Sequence, residues 1–173
     1  YLSTKKNLIL VRYTSSKAKT LISLKSTRNF LLVQEKDLSI VSSENIVIKT
    51  KKKVTKKQLE DMIFGFIVAK YVNSNAIVLS KNLTTIGIGV GQTNRLASAR
   101  QAISQMKKNF KNTRAILASD GFFPFPDIVK LCSKNKISGI IQPGGSIKDE
   151  LVVKEAEKNN IPMVFTGTRH FKH

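Results

Sequence analysis

Five residue types are scarce in this 173-residue sequence. It has no tryptophan, one cysteine, two histidines and only 11 acidic residues against 30 Lys and Arg. The lone Cys132 excludes an intramolecular disulfide framework and fits a reducing, cytoplasmic location. No apolar run approaches the roughly 20 residues that a membrane span needs. The N-terminus shows no signal peptide and no initiator Met, so we expect the chain to begin within a longer protein.

Neither the histidines nor the cysteine suggests a metal or a nucleophile. His170 and His173 are separated by two residues, and no Cys, Glu or third His nearby completes a zinc site, so no metal is expected. The segment IVKLCSKNK has the pattern of a helix face, which favours a core thiol at Cys132 over a catalytic one.

The formal net charge of +19 leaves two interpretations open. Nucleic-acid binding is one, because Lys and Arg neutralise phosphates. However, the cations are 24 Lys and only 6 Arg, and Arg is the better bidentate reader of phosphates and bases. The 12 Asn add to a Lys and Asn bias that an AT-rich genome would produce. As the origin of the positive charge, this pattern favours compositional drift together with anionic small-molecule ligands over a nucleic-acid-binding module.

The first third of the chain predicts short extended segments and then a helix. NLILVRY and NFLLVQE have strand composition, and the basic run at residues 49–57 is interpreted as a solvated approach to a helix. Thr55 and Gln58 have capping-box spacing. One helical stripe follows, comprising Leu59, Met62, Ile63, Phe66 and Ile67.

Strands and helices alternate in the rest of the sequence. NAIVLS and TTIGIG predict a hairpin, and a helix from about Arg95 carries the stripe Leu96, Ala99, Ile103, Met106 and Phe110. RAILAS, ISGIIQ and PMVFTG predict strands, and PDIVKLCSKN and IKDELVVKEAEKNN predict helices. This order predicts an α/β fold with a parallel or mixed sheet between helical layers.

Four polar or glycine-rich segments follow strands, where ligands bind in such sheets. They are GVGQTNR, SDGFFPFPD, QPGGS and TGTRHFKH, and we expect them to converge on one edge. Arg95 begins a helix, where the dipole does not explain a cation, so a ligand role is possible. PGGS is either an anion-binding turn or a plain turn with Ser146 as N-cap. Pro124 and Pro126 stiffen a loop whose rings form either an exposed flat wall or part of the core.

Taken together, these motifs resemble a known enzyme family. SNAIV, TIGIGVGQ-x-x-R, ASD-x-FFPF-x-D, IIQPGGSI-x-DE, MVFTG and RHF-x-H occur in the order and spacing of the transformylase domain of the AICAR transformylase/IMP cyclohydrolase family. The match runs from about Lys5 to His173, where the family's C-terminus is expected.

The resemblance implies a fold and an activity. The fold is a three-layer α/β/α arrangement with a mixed sheet, similar to cytidine deaminase but without zinc. Residues 1–54 would be an extended connecting segment and residues 55–173 the second cytidine-deaminase-like subdomain. The family transfers a formyl group from 10-formyltetrahydrofolate to AICAR as a cytosolic homodimer with sites at the subunit interface.

The resemblance also assigns site residues. Asn75 corresponds to a catalytic asparagine beside the formyl group. The folate side comprises Arg95, Phe122, Pro124, Phe125, Asp127, Gly144, Gly145 and Ser146. The nucleotide side comprises Arg169, Phe171 and His173, with Arg169 as the candidate phosphate contact.

The sequence also departs from the family pattern. Pro126 stands where the family usually has Arg, Asn73 where it has Lys, and GQTNR replaces GQMSR. The family's Lys-His-x-Asn-Pro-Cys-Gly segment, which supplies the catalytic Lys and His, has no equivalent in the 173 residues, nor does the cyclohydrolase domain. We therefore expect the C-terminal half of a transformylase domain, inactive alone. A basic nucleic-acid-binding module and a non-functional remnant are the alternatives.

Overall fold

The computed structural model describes residues 9, 11, 12 and 22–172. It divides the chain into two compact units, Tyr1–Leu38 and Ser39–His173. In the first unit, strands β1 (Ile22–Ser26) and β2 (Leu31–Glu35) form an antiparallel hairpin whose residues are all exposed. The strand predicted in NFLLVQE is therefore confirmed, whereas NLILVRY falls largely outside the described residues.

The second unit alternates strands and helices as predicted. After a short 3-10 turn at Ser43–Asn45, its elements are β3 (Val47–Ile48), α1 (Lys56–Tyr71), β4 (Ile77–Lys81), β5 (Thr84–Gly89), α2 (Arg95–Asn109), β6 (Ala115–Ser119), α3 (Asp127–Ser133), β7 (Ile137–Gln142), α4 (Asp149–Lys158) and β8 (Met163–Phe165). None of the helices in the described part of the chain is long and apolar enough to cross a bilayer.

Six strands form one mixed sheet in the order β3-β8-β7-β6-β4-β5. Strands β6, β7 and β8 are parallel, whereas β4 runs antiparallel to both β5 and β6 and β3 runs antiparallel to β8. The start of β4 therefore lies level with the ends of β5 and β6, as the pairing of Ile77 with Gly89 and Ser119 shows.

Helices cover both faces of the sheet because the strand side chains alternate between two cores. Val78, Ile116 and Ile141 pack with Met62 and Phe66 of α1 on one face. On the other face α2, α3 and α4 pack against a larger set that includes Ile77, Leu79, Leu117, Ile140 and Met163. The three-layer α/β/α prediction with a mixed sheet is confirmed.

Two glycines explain how closely α2 lies on the sheet edge. A Cβ at Gly87 or Gly89 of β5 would overlap the backbone carbonyls of Ala102 or Ser98. The TIGIG sequence therefore fits a strand that a helix backbone approaches directly. The strand prediction was correct, but its periodicity alone gave no sign of this contact.

The helix predictions are confirmed in position and corrected in detail. Thr55 and Gln58 form the expected capping box, and α2 begins at Arg95. Of the α1 stripe, Met62 and Phe66 are fully buried, but Ile67 is 39% exposed because the inward face turns toward Gly65 and Ala69. Phe110 follows the end of α2 and is exposed.

The cysteine and the basic run behave largely as predicted. Cys132 is buried in the core, and this burial raises the pKa of its thiol. The lysines of residues 49–57 are exposed, although Thr50 is buried and accepts the Met163 N–H at 3.0 Å.

Because β3 pairs with β8, residues 39–54 belong to the second unit. The subdomain boundary at residue 54 stays a prediction.

Candidate functional site

The four predicted segments meet at one edge of the sheet, as expected. Parallel pairing brings Ala118 of β6, Ile141 of β7 and Val164 of β8 level, so the loops that follow these strands emerge together. The antiparallel β4 contributes its N-terminal end to the same edge. Residues 73–75, 90–95, 120–127, 142–146 and 166–172 therefore surround one region, called the loop edge below.

A buried ion pair lies at the centre of the loop edge. The carboxylate of Asp120 is inaccessible to solvent and accepts a hydrogen bond from Arg95 Nη2 at 2.9 Å. Its other oxygen accepts the Ser74 hydroxyl at 2.5 Å. Arg95 was predicted from its helix position to serve a ligand; the structure gives its charge an internal partner, with only 12% of the side chain exposed. The Nε atom is buried without an acceptor in the described part of the chain.

The C-terminal segment is fixed against this centre rather than frayed. His170 N donates to the carbonyl oxygen of Asp120 at 3.0 Å, and Ser74 exchanges two hydrogen bonds with the Lys172 backbone. The His170 ring is buried, 4.9 Å from the Phe66 ring, so it is a core residue. Phe171 and Arg169 remain exposed, and His173 lies outside the described residues.

Asn75 lies two residues before β4, within the loop edge. Its side-chain Nδ2 donates to the carbonyl oxygen of Gln92 at 2.8 Å, and its own carbonyl accepts the Ser98 hydroxyl at 2.7 Å. These bonds tie the start of β4 to the loop before α2 and to α2 itself. The Oδ1 atom accepts no hydrogen bond within the described residues and is available to a ligand.

The FFPFPD loop divides its three rings between core and surface. Phe123 is fully buried, and Phe125 is 50% exposed with Lys148 Nζ 4.0 Å from its ring centroid. Phe122 is half-buried, with the Arg169 guanidinium carbon 5.5 Å from its centroid. Both interpretations from the sequence were therefore partly correct. A wall can include Phe122, Phe125 and the exposed Pro124, but not Phe123.

Pro126 and Asp127 end this loop. Pro126 occupies the position before α3 with φ of −76°, and its carbonyl accepts the Lys130 N–H at 3.0 Å. The ring is thus compatible with the helix start, where the family usually has Arg. Asp127 is half-buried and accepts its own neighbour's N–H, that of Ile128, at 2.8 Å.

The QPGGS turn is not a plain turn with Ser146 as the N-cap of α4, and its role as an anion-binding turn stays a prediction. Helix α4 begins at Asp149, so Ser146 is not its N-cap; instead the Ser146 hydroxyl accepts the Lys148 N–H at 3.1 Å. Gly144 and Gly145 have positive φ, as an anion-binding turn requires, but the Gly145 N–H donates to the Asp149 carboxylate at 2.7 Å. An internal anion thus occupies this donor.

Sequence reasoning missed three residues that organise the loop edge. Asp120 and Ser74 form the buried centre, and Gln142, fully buried, accepts the Phe123 N–H at 2.9 Å. An acidic residue directly after an apolar strand was the available signal for Asp120. Nothing in the local sequence distinguishes it from an exposed loop carboxylate. Within the described ranges, no three His, Cys, Asp or Glu side chains cluster as metal ligands would.

Comparison with known proteins identifies the family. The AICARFT/IMPCHase bienzyme family matches residues 1–105. The chain is similar to the bifunctional purine biosynthesis proteins PurH of Thermoanaerobacter sp. (strain X514), 48% identical, of Caldicellulosiruptor saccharolyticus, 47%, and of Buchnera aphidicola subsp. Schizaphis graminum, 46%. Each alignment covers 99% of this chain and 33% of the relative, so the chain spans about a third of their length.

Among solved structures, the chain is similar to a dCMP deaminase from the cyanophage S-TIM5, with a TM-score of 0.44 and 12% identity over 64% of this chain and 98% of the deaminase. The family match covers more than half of the 173 residues, and the relatives agree with it over nearly the whole chain. The chain belongs to the AICARFT/IMPCHase bienzyme family.

Proposed function

We propose that this chain forms the C-terminal half of an AICAR transformylase domain. Its loop edge binds 10-formyltetrahydrofolate and AICAR while a formyl group passes from the folate to the 5-amino group of AICAR. Family membership supports the reaction class, and the observation that carries the site is the convergence of Asn75, Arg95, the FFPFPD loop and the C-terminal segment on one edge.

Asn75 has the geometry of a group that orients the attacking amine. Its Nδ2 is held by the Gln92 carbonyl, which fixes the amide plane and leaves Oδ1 as a free acceptor. An aromatic amine is a weak nucleophile, so an acceptor for one amine hydrogen would hold its nitrogen toward the formyl carbon. Asn75 cannot serve as the general base, because a carboxamide does not take up a proton near neutral pH.

The two sides of the loop edge suit the two ligands. Phe122 and Phe125 offer apolar ring surface for the folate pterin, while Asp127 offers acceptors for its ring N–H groups. Arg169 is exposed and cationic and lies over Phe122, where it can meet the nucleotide phosphate. Proton removal from the amine and stabilisation of the developing oxyanion would require the family's Lys-His segment, which is not among these 173 residues. We further propose a cytosolic homodimer with sites at the subunit interface.

The test separates binding from turnover. We expect AICAR and a non-transferable 10-formyltetrahydrofolate analogue to raise the unfolding temperature of the 173-residue chain, because a ligand at about 100 times its Kd adds about 2.7 kcal/mol. Formyl transfer should be negligible until the upstream half of a relative is added. Asn75→Ala should then lower kcat on the order of 100-fold, whereas Asn109→Ala, at the other end of α2, should not.

Two results would count against this proposal. Robust transfer by the chain alone would show that the Lys-His segment is dispensable. If neither ligand at millimolar concentration raises the unfolding temperature, the chain does not bind them and the proposed site is wrong.

Nucleic-acid binding remains the second candidate, and one surface favours it. At the opposite edge of the sheet, a cavity of about 480 Å³ is lined by Lys52, Arg114, Lys134 and Lys136 and by no carboxylate. Such a surface predicts binding to an unrelated duplex with a steep salt dependence. Anisotropy with a labelled duplex decides the question: submicromolar binding with a steep salt dependence would support a dedicated module, and a flat salt response or no binding would exclude one.

A further inference from the structure

Asp120 lies in the ASD-x-FFPF-x-D motif, but the family resemblance assigns it no ligand. Its side chain is fully buried, so it is unsuited to contacting substrate directly. Asp120 nevertheless contacts three separate segments of the loop edge: its carboxylate accepts bonds from Ser74 before β4 and Arg95 at the start of α2, and its backbone carbonyl accepts one from His170 near the C-terminus.

Each of these contacts fixes a different part of the site. The bond from Arg95 Nη2 holds the guanidinium, whose Nε is buried without an acceptor in the described residues. The bond from the Ser74 hydroxyl orients an oxygen that in turn accepts the Lys172 N–H at 3.2 Å. The Asp120 carbonyl accepts the His170 N–H at 3.0 Å.

The folate side and the nucleotide side also approach each other next to this carboxylate. Gly121 follows Asp120, and a Cβ built on it would contact the Arg95 guanidinium and lie 3.1 Å from the Phe171 ring. Arg95 and Phe171 therefore flank the same glycine. Displacing either one changes the space that the other occupies.

We propose that Asp120 is a positioning residue that holds Arg95 and the segment Arg169–Lys172 as one rigid unit. The proposal rests on the proposed function, because the groups it positions are the folate-side and nucleotide-side residues of that site. Removing the charge of Asp120 leaves the Arg95 guanidinium buried without a counter-ion, which drives that side chain toward solvent. Removing the charge also weakens the bond that orients the Ser74 hydroxyl, and with it the contact of that hydroxyl with the Lys172 N–H, whereas the backbone bond from His170 to Asp120 is kept.

The chain offers a matched control. Asp61 is also a buried carboxylate, but it lies at the opposite end of the sheet, where it accepts the backbone N–H groups of Asn82 at 3.0 Å and Leu83 at 2.7 Å. Asp61→Asn should lower stability by weakening the β4–β5 turn without touching the loop edge. Asp120→Asn and Asp61→Asn thus compare two buried carboxylates of which only one is linked to the site.

The experiment measures AICAR affinity by calorimetry and backbone exchange by hydrogen–deuterium mass spectrometry on the 173-residue chain. We expect Asp120→Asn to weaken AICAR binding on the order of 10- to 100-fold, because the released side chains must then be ordered on binding. It should also speed exchange in residues 169–172. Asp61→Asn should leave affinity within about twofold and speed exchange only around residues 82 and 83. Ser74→Ala, a milder change, should reproduce both Asp120 effects in weaker form and substitutes for Asp120→Asn if that variant does not fold.

The outcomes separate the two proposals. If the unsubstituted chain binds AICAR and folded Asp120→Asn binds it equally well, the positioning role is wrong. If the unsubstituted chain binds neither AICAR nor the folate analogue, the proposed function fails, and exchange alone then decides the role of Asp120. Faster exchange at residues 169–172 in Asp120→Asn and not in Asp61→Asn supports positioning, and equal exchange in both variants overturns it.

Discussion

Replacing Gln142 with methionine should destabilise the fold by about 2 kcal/mol. Gln142 is fully buried, and its Oε1 accepts the Phe123 N–H at 2.9 Å, whereas its Nε2 reaches only the Met163 sulfur at 3.7 Å. Methionine keeps the length of the side chain but has no comparable acceptor. The Phe123 N–H is then buried and unsatisfied, which costs about 1–3 kcal/mol. The weak bond to sulfur adds little to this loss.

A second glutamine supplies the control. Gln105 also accepts a backbone N–H through Oε1, that of Ile88 at 2.6 Å, but it is exposed. Water can replace its acceptor, so Gln105→Met should change stability by less than about 0.5 kcal/mol. For a chain of this length, about 2 kcal/mol corresponds to a fall of about 4–8 °C in the unfolding midpoint.

Thermal unfolding followed by circular dichroism gives the comparison, with urea unfolding to check that the m-value is unchanged. Hydrogen exchange at the Phe123 amide should also become faster in Gln142→Met. Equal shifts of the midpoint in both variants, or a shift below about 1 °C in Gln142→Met, would refute the claim that this buried acceptor holds the FFPFPD loop in place.

Two further predictions concern the helices. Thr55→Ala removes the capping box with Gln58 and should cost about 1 kcal/mol, measured as a midpoint about 2–4 °C lower, and an unchanged midpoint would contradict it. Cys132 should not react with a thiol reagent in the folded chain. Because burial raises its pKa, the unfolded thiol loses its proton above about pH 8.5 while the folded thiol keeps it, so stability should fall by up to about 1.4 kcal/mol per pH unit there. Cys132→Ala should lose that slope between pH 7.5 and 9.5.

The elements that sequence predicted well are those with a local cause. The capping box at Thr55 and Gln58 is a contact between residues three apart, and the α2 stripe follows from helical periodicity. Such features need no knowledge of the rest of the fold.

The elements that sequence could not resolve depend on distant partners. Phe123 and Phe125 are two residues apart in one loop, yet Phe123 is buried in the core and Phe125 is exposed. The difference arises because Gln142, at the end of β7, holds the backbone of Phe123. Likewise, the partners of Asp120 come from positions 74, 95 and 170. Family resemblance supplied the site residues that bear ligand-binding groups, but the structure was needed to find those that support them.

The direction of β6 has a practical consequence for protein engineering. Because the loop edge collects the start of β4 and the ends of β5, β6, β7 and β8, the connection between α2 and β6 is left at the far end of the sheet. Lys111 and Asn112 in that connection are exposed, and the five-residue strand β6 separates them from Asp120 by about 17 Å. A fluorophore or a short affinity tag inserted there would report on the chain at a distance from the groups that the two ligands need.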